Sequence, residues 1–143
     1  KDVVGLFFGA ADSSASLGCK LAWEPLLYAR QKVVLAAAMY NLFTIDAPFF
    51  YIDDKEGLKN EAEAVKNLGF TGKAAIHPDQ IDFINESFAP TSEEIAEGKK
   101  VLEEYQKSGG GAVKIDGQMV DEPIAEAMRL KISLGEEESE NKD

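Results

Sequence analysis

The chain has 143 residues, of which 45% are hydrophobic, and that is enough for one ordinary domain with a sizeable core. Its formal net charge of -11 at pH 7 argues against nucleic acid or an anionic membrane as a partner, because both are polyanions that bind clustered Lys and Arg. The single cysteine, Cys19, cannot form an internal disulfide, and no stretch is as long and apolar as a membrane span, so we expect a cytoplasmic protein, or one of the mitochondrial matrix in a eukaryote.

Residues 1–90 predict strands and helices in alternation. We predict a first strand in residues 3–8, a loop of small residues in 9–18, a helix from about residue 23 or 25 to 40, a second strand in 42–47, a second helix in 55–68, a third strand in 73–76 and a helix that begins at Pro78. This order predicts an α/β fold with a parallel sheet and right-handed crossovers. The apolar first strand has the composition of a strand with neighbours on both sides, so we expect further strands upstream.

The alternation ends after residue 90. Thr91 or Ser92 predicts an N-cap, and the acidic residues that follow suit the positive end of a helix dipole. We predict a helix to about residue 107, strands in 112–115 and 118–120, and a last helix over about 124–134. Asp116-Gly117 between the two strands favours a hairpin. Residues 91–134 are therefore predicted as an appendage, and the acidic residues 135–143 as a disordered tail.

The only histidine, His77, lies between the third predicted strand and the helix that Pro78 begins. In parallel sheets and barrels, ligands bind at the carboxyl ends of the strands, so this position makes His77 a candidate binding residue. The alternative is a structural turn residue whose ring is satisfied locally. No glycine-rich phosphate loop and no Ser-His-Asp or Cys-His arrangement is evident in the sequence.

Several aspartates follow predicted strands or precede predicted helices. Asp12 lies just past the first strand among small residues, where a carboxylate can coordinate a hard cation such as Mg²⁺; the alternative is that it caps the following turn. Asp46 ends the second strand, but the proline and aromatic residues after it indicate a packed loop. Asp53 and Asp54 are predicted as helix caps, and on pattern alone so is Asp121.

Eight segments carry a family resemblance. They are Gly9-Ala10-Ala11-Asp12, Leu27-Tyr28-Ala29-Arg30, Ile45-Asp46-Ala47-Pro48-Phe49, Gly69-Phe70-Thr71-Gly72-Lys73, Ile76-His77-Pro78-Asp79-Gln80, Ile84-Asn85, Phe88-Ala89-Pro90 and Asp116-Gly117-Gln118-Met119-Val120-Asp121. In this order, over about residues 3–132, they resemble the C-terminal half of the citrate-lyase β-subunit-like family, which includes malyl-CoA, methylmalyl-CoA and citramalyl-CoA lyases. The resemblance implies the last three βα units of a TIM (β/α)₈ barrel in residues 1–90 and a small helix-hairpin-helix lid in residues 91–134.

The resemblance also implies an activity. Family members are Mg²⁺-dependent carbon–carbon lyases, so we expect cleavage of a 3-hydroxyacyl-CoA, such as malyl-CoA or citramalyl-CoA, to acetyl-CoA and a 2-oxo acid, glyoxylate or pyruvate. By resemblance, Asp12 is one of two carboxylate metal ligands, the other being a glutamate on an earlier strand outside this sequence, and the main chain near Ala11 and Asp12 contacts the substrate. The segment of Ile76 and His77 corresponds to the place where the family holds CoA, through main chain rather than imidazole. Asp121 corresponds to the lid aspartate, a general acid/base that in several members reaches a neighbouring subunit, so a homo-oligomer is expected.

Some positions depart from the common family pattern. Ala11 replaces the usual glutamate of Gly-Ala-Glu-Asp, and Ala47-Pro48-Phe49 replaces Gly-Val-Tyr, and both changes favour the malyl-CoA lyase branch. The short connection from Gly18 to Tyr28 instead favours the citrate-lyase branch. The alternatives are therefore a citryl thioester lyase subunit that acts on an acyl-carrier protein, and a non-catalytic piece with a role in assembly.

Overall fold

The computed structural model describes residues 3–109 and 111–140, with residues 134–140 as backbone only. The elements are β1 (Gly5–Phe7), α1 (Ala10–Leu17), α2 (Trp23–Ala38), β2 (Phe43–Asp46), α3 (Lys55–Leu68), β3 (Gly72–Lys73), a 3-10 turn (Pro78–Gln80), α4 (Ile81–Phe88), α5 (Ser92–Lys107), β4 (Val113–Ile115), β5 (Gln118–Val120) and α6 (Glu122–Glu140). The chain divides into two compact units, Lys1–Phe88 and Ala89–Asp143.

The first unit is a parallel sheet with helices packed on one face. Its strand order is β1-β2-β3, and both pairs are parallel, as the alternation of elements predicts. Side chains alternate between the faces of a strand, so Thr44 and Asp46 point to one face and are buried there. Phe7 and Phe43, on the other face, are 60% and 67% exposed. The helix-covered face carries the core, in which Phe8, Ala10, Leu26, Ala47, Val65 and Phe70 form one cluster.

Helix α3 agrees with its predicted bounds of residues 55–68. Its N-cap is Asp54, whose side chain accepts a hydrogen bond from the backbone N–H of Gly57 at 2.8 Å. Gly69 ends the helix with φ 99°, in the left-handed region that glycine adopts without strain. Of the two aspartates that were predicted as caps, Asp53 and Asp54, it is Asp54 that caps this helix.

Three elements differ from the predictions. Residues 9–18, predicted as a loop, contain helix α1, because their alanines favour a helix that Gly18 can end at φ 65°. Strand β3 is shorter than the predicted 73–76, although the backbone N–H of Ala74 still donates to the carbonyl of Asp46 at 3.0 Å. Helix α6 continues to Glu140 instead of ending near residue 134, since the glutamates there are good helix formers. Only residues 141–143 of the predicted disordered tail lie outside the described residues.

A buried ionic network joins the sheet to its helices. Asp46 has no exposed side-chain surface and accepts a hydrogen bond from the Nε of Arg30 at 2.8 Å and another from the Nζ of Lys73 at 2.8 Å. The Nζ of Lys73 also donates to a carboxylate oxygen of Glu61 at 2.6 Å and to the carbonyl of Ala47 at 2.8 Å. These side chains come from α2, β2, α3 and β3, so the network connects four elements. Two cations and two carboxylates balance each other in charge.

The guanidinium of Arg30 also packs against aromatic rings. Its Cζ lies 5.0 Å from the ring centroid of Phe8 and 4.8 Å from that of Trp23. Both distances are within the range of cation–π attraction, which is stronger when the cation is desolvated. The Nη1 of Arg30 is buried and has no hydrogen-bond partner among the described residues. The aromatic rings and Asp46 together therefore hold this guanidinium.

The second unit contains the predicted helix, hairpin and helix. Helix α5 begins with a capping box, in which Thr91 accepts from the backbone N–H of Glu94 while the side chain of Glu94 accepts from that of Thr91. Strands β4 and β5 are antiparallel, and Asp116 and Gly117 between them have φ 48° and 89°, as a type I′ hairpin turn requires. A separate core consists of Tyr105, Ile115, Val120 and Ala125.

Replacing Asp46 with Ala should strongly destabilise the protein, because Arg30 and Lys73 would lose the carboxylate that they share. We expect the free energy of unfolding to fall by about 3–5 kcal/mol, the usual cost of breaking a buried ion pair. Urea unfolding of the complete protein measures this change. Asp53→Ala, which removes an exposed carboxylate, is the matched control and should change the free energy by about 0.5 kcal/mol or less. A similar small change for Asp46→Ala would contradict the role of the network.

Candidate active site

Three segments leave the same edge of the parallel sheet. Helix α1 follows β1, a loop of residues 47–54 follows β2, and residues 74–80 follow β3. The carboxyl ends of parallel strands face one side, where ligands of α/β folds bind. Asp12, Ile76 and His77 therefore belong to segments at this edge. Asp121 belongs to the second unit.

Asp12 is an exposed carboxylate in the first turn of α1. A Cβ built on Gly9, the N-cap residue, would lie 3.1 Å from Oδ2 of Asp12, so the carboxylate lies over Gly9 where the absence of a side chain leaves space. Within residues 3–109 and 111–140, its oxygens make no hydrogen bond or ion pair, and α1 has no side-chain cap. The capping alternative is therefore not observed, and the carboxylate is available to a ligand.

The main chain beside Asp12 offers hydrogen-bond donors. The first backbone bond of α1 is donated by Ser13 to the carbonyl of Gly9 at 2.9 Å. The preceding N–H groups, including those of Ala11 and Asp12, have no acceptor in the described part of the chain, as is usual at a helix N-terminus. The carbonyl of Ala11 accepts from the hydroxyl of Ser14 at 2.9 Å. Donors and one carboxylate thus lie side by side at the sheet edge.

The segment after β3 is closed by hydrogen bonds of its own. His77 is the N-cap of the 3-10 turn, and its Nδ1 accepts from the backbone N–H of Asp79 at 3.2 Å. The side chain of His77 is 41% exposed, and Nε2 carries the proton of the neutral ring when Nδ1 is an acceptor. The backbone N–H of Ile76 donates to Oε1 of Gln80 at 2.9 Å. The ring of His77 therefore makes a local turn contact through Nδ1, and its Nε2 makes no hydrogen bond within the described residues.

Asp46 does not belong to this site. Its register partner in β3 is Lys73, which shares the helix-covered face with it. Both of its oxygens are engaged by cations. The loop that follows is packed at its start, where Ala47 and Phe49 are buried, whereas Phe50, Tyr51 and Ile52 are exposed. The rings of Phe49 and Tyr51 meet edge to face at 5.6 Å. The sequence interpretation of a packed loop after β2 therefore holds for its first residues, and residues 50–54 are exposed.

Asp121 caps the last helix, as its pattern predicts. Its Oδ1 accepts from the backbone N–H of Ile124 at 3.4 Å, and its carbonyl accepts from that of Ala125 at 2.9 Å. The side chain is half-buried. No other bond to its carboxylate is found in the described part of the second unit, so one oxygen is available.

The neighbouring Glu122 has a different environment. It accepts from Arg129 at 2.7 Å and from the hydroxyl of Tyr105 at 3.1 Å. The hydrogen bond from Arg129 lowers the pKa of Glu122, and that from Tyr105 lowers it further. Burial raises the pKa of the Tyr105 phenol, and its bond to Glu122 adds to this. Of the two adjacent carboxylates, Glu122 is bonded to side chains of its own unit, and Asp121 makes fewer contacts among the described residues.

The described residues provide one carboxylate for a metal rather than a complete site. No group of three or more His, Cys, Asp or Glu side chains among them could hold a metal ion. An exposed carboxylate with no ion pair fits a hard cation as a single ligand. None of the helices in the described ranges is long and apolar enough to cross a membrane.

Sequence reasoning missed two features of this edge. The helical N–H groups beside Asp12 were not predicted, because residues 9–18 were interpreted as a loop. The alanine content of these residues was a signal for a helix. Gln80 was only the last residue of a family segment. Its side chain is buried and bonds to Ile76 and to Phe49, which is 31 residues away along the chain.

The chain belongs to the HpcH/HpaI aldolase/citrate lyase family, whose sequence model matches residues 1–78. It is 36% identical to the mitochondrial citramalyl-CoA lyase of Homo sapiens over 141 residues, which are 92% of this chain and 42% of that protein. It is 32% identical to the citrate lyase subunit beta of Escherichia coli K12 over 139 residues, with 94% of this chain and 46% of that protein covered. The chain therefore spans less than half of these relatives, and the resemblance inferred from its sequence is confirmed.

Solved structures give the same family. CitE from Mycobacterium tuberculosis, in complex with magnesium, acetoacetate and coenzyme A, superposes with a TM-score of 0.83 at 30% identity, over 95% of this chain and 53% of that one. RipC from Yersinia pestis is 50% identical, with a TM-score of 0.63 over 64% of this chain and 43% of that one. These similarities imply a TIM-barrel-like fold, of which this chain holds an incomplete part. The assignment of residues 91–134 to a lid stays a prediction.

Proposed function

We propose that the complete protein containing this chain is a Mg²⁺-dependent carbon–carbon lyase that cleaves a 3-hydroxyacyl-CoA, such as malyl-CoA or citramalyl-CoA, to acetyl-CoA and a 2-oxo acid. The observation that carries the proposal is the available carboxylate of Asp12 beside the N–H groups of Ala11 and Asp12 at the carboxyl edge of the sheet. Membership in a lyase family supports the reaction class. CitE, bound to magnesium and coenzyme A, supports the cofactor and the thioester.

Asp12 is the proposed metal ligand of this chain. A Mg²⁺ ion bound there would polarise the carbonyl of the 2-oxo acid as a Lewis acid. The donors at the start of α1 suit the carboxylate of the same acid, because helix N-termini attract anions through their N–H groups and dipole. Ala11 and Asp12 would therefore orient the substrate through their main chain.

The thioester is proposed to lie against Ile76 and His77. Since the N–H of Ile76 is bonded to Gln80 and the carbonyl of His77 to the N–H of Gln80, the open groups are the carbonyl of Ile76 and the N–H of His77. These groups have no partner within the described ranges. Contacts with CoA would thus be made by main chain, with Nε2 of His77 as an additional polar group.

Asp121 is the proposed general acid/base. In cleavage, the electron pair of the broken C–C bond stays on the carbon next to the thioester, and a protonated Asp121 donates its proton to that carbon. The substrate hydroxyl releases its proton to solvent as the new carbonyl forms, and Asp121 regains a proton from solvent before the next turnover. In condensation, the Asp121 carboxylate removes a proton from the acetyl methyl group. We propose that Asp121 acts in a neighbouring subunit of a homo-oligomer, as the family resemblance implies.

A second candidate is a citryl thioester lyase subunit that acts on an acyl-carrier protein. It is favoured by the 32% identity to the citrate lyase subunit beta of Escherichia coli. The chemistry of the bond cleavage would be the same, and only the carrier of the thioester would differ. The two candidates are separated by their substrates.

The first prediction is metal-dependent cleavage. The complete protein should release acetyl-CoA from malyl-CoA or citramalyl-CoA, because a bound Mg²⁺ supports the departing 2-oxo acid. We expect EDTA to reduce the rate at least about a hundredfold and excess Mg²⁺ to restore it. An assay of the 2-oxo acid released from each thioester, including a citryl-carrier thioester, makes the measurement through the absorbance of its phenylhydrazone. Cleavage of the carrier substrate alone would favour the second candidate, and no cleavage of any would favour a non-catalytic role.

Asp12→Ala should remove a metal ligand without disturbing the fold. We expect kcat/KM to fall by about 10²–10³, equivalent to the several kcal/mol that a Lewis acid contributes. The Mg²⁺ concentration needed for half-maximal rate should rise as well. Asp82→Ala, which removes an exposed carboxylate in α4, is the control. An unchanged Mg²⁺ dependence in Asp12→Ala would refute the assignment.

Asp121→Asn separates helix capping from proton transfer. Asn is as good an N-cap as Asp, so the start of α6 should persist. Without an acid/base, kcat should fall by about 10²–10⁴ while the KM for the thioester changes little. Steady-state kinetics, with Glu122→Gln as the neighbouring control, test this. Comparable losses in both variants would argue for a structural effect instead.

A further inference from the structure

We infer that Gln80 is a positioning residue for thioester binding, which holds the Ile76–His77 segment in its binding conformation by joining the loops after β2 and β3. This inference rests on the proposed function. It adds a residue whose side chain is buried beneath the segment rather than exposed on it. Gln80 is 2% exposed and is among the largest fully buried side chains of the described residues.

Both ends of the Gln80 amide are engaged. Oε1 accepts from the backbone N–H of Ile76 at 2.9 Å, and Nε2 donates to the carbonyl of Phe49 at 2.9 Å. One acceptor and one donor of the same rigid group therefore fix two separate loops. Since a reversed amide would place like groups together at both ends, the hydrogen bonds also determine its orientation.

The backbone of Gln80 completes the closure. The backbone N–H of Gln80 donates to the carbonyl of His77 at 3.0 Å. Its side chain accepts from the backbone N–H of Ile76, the residue before His77. Residues 76–80 thus form a closed turn whose inner groups are used. The groups left open, the carbonyl of Ile76 and the N–H of His77, belong to one peptide unit, and its direction is fixed by the bond at Ile76.

A packing role alone does not require this side chain. A buried amide is costly unless its hydrogen bonds are formed, and an apolar side chain of similar size would fill the same space. The loss expected on substitution is therefore loss of order in the segment that contacts CoA, not loss of the core. It should affect thioester binding and leave the chemistry at Asp12 and Asp121 in place.

The test compares Gln80→Met with the wild type in the complete protein. Methionine has a similar volume but forms neither bond. We expect the Kd for CoA, measured by isothermal titration calorimetry, and the KM for the thioester to rise about tenfold, with kcat at saturation within about twofold. Glu86→Gln, a change at an exposed position of α4, is the control and should match the wild type.

A second variant covers the case in which Gln80→Met does not fold. Gln80→Glu accepts from Ile76 at any pH, but it donates to Phe49 only when protonated. Its affinity for CoA, relative to wild type at the same pH, should therefore rise as pH falls from 8 to 6.

Gln80→Met with wild-type affinity would overturn the inference, as would a Gln80→Glu variant that shows no such pH dependence when Gln80→Met is unfolded. A wild-type protein that does not bind CoA would overturn the thioester proposal itself, and the inference with it.

Discussion

The buried contact of Asp46 with Arg30 and Lys73 is the constraint on which the first unit depends. Charges are costly inside a protein unless they are paired and hydrogen-bonded, and here each oxygen of Asp46 has a cation at 2.8 Å. The pairs connect the end of β2 to α2 and β3, and Lys73 extends the connection to Glu61 of α3. A shift of any of these elements by one residue would leave a charge without a partner. The network therefore fixes the register of the strands against their helices.

This constraint explains why two aspartates at similar strand ends differ in role. Side chains alternate between the two faces of β2, so Asp46 points towards the helices, where both of its oxygens are bonded within the ionic network. Asp12 lies beyond its strand, in the first turn of α1, so strand alternation does not determine its direction. Its carboxylate is exposed, and the helix dipole favours its charge at that position. Asp46 therefore stabilises this edge of the sheet, and Asp12 is available there to bind a ligand.

Local sequence signals predicted much of this fold. Helix α3, the Asp116-Gly117 hairpin and the cap at Thr91 follow from chemistry within a few residues. The ionic network could not be predicted in this way, because Arg30 and Lys73 are 16 and 27 residues from Asp46. Helix α1 was missed because glycine and serine in residues 9–18 indicate a loop as readily as alanine indicates a helix. The acid/base role proposed for Asp121 rests on the family resemblance, since the local sequence pattern of this residue is that of a helix cap.

The two adjacent acids of the second unit illustrate how partners decide function. A base that acts on a carbon acid needs a high affinity for its proton, and a carboxylate bonded to a guanidinium has less of it. Arg129 and Tyr105 give Glu122 such an environment and lower its pKa. Among the residues that the structure describes, the carboxylate of Asp121 accepts only the 3.4 Å bond from the backbone of Ile124. Its capping bond also holds the side chain near one orientation, which a residue that transfers a proton requires. The cap and the proposed base are therefore compatible uses of one carboxylate, because one oxygen accepts the capping bond and the other has no hydrogen bond within the described ranges.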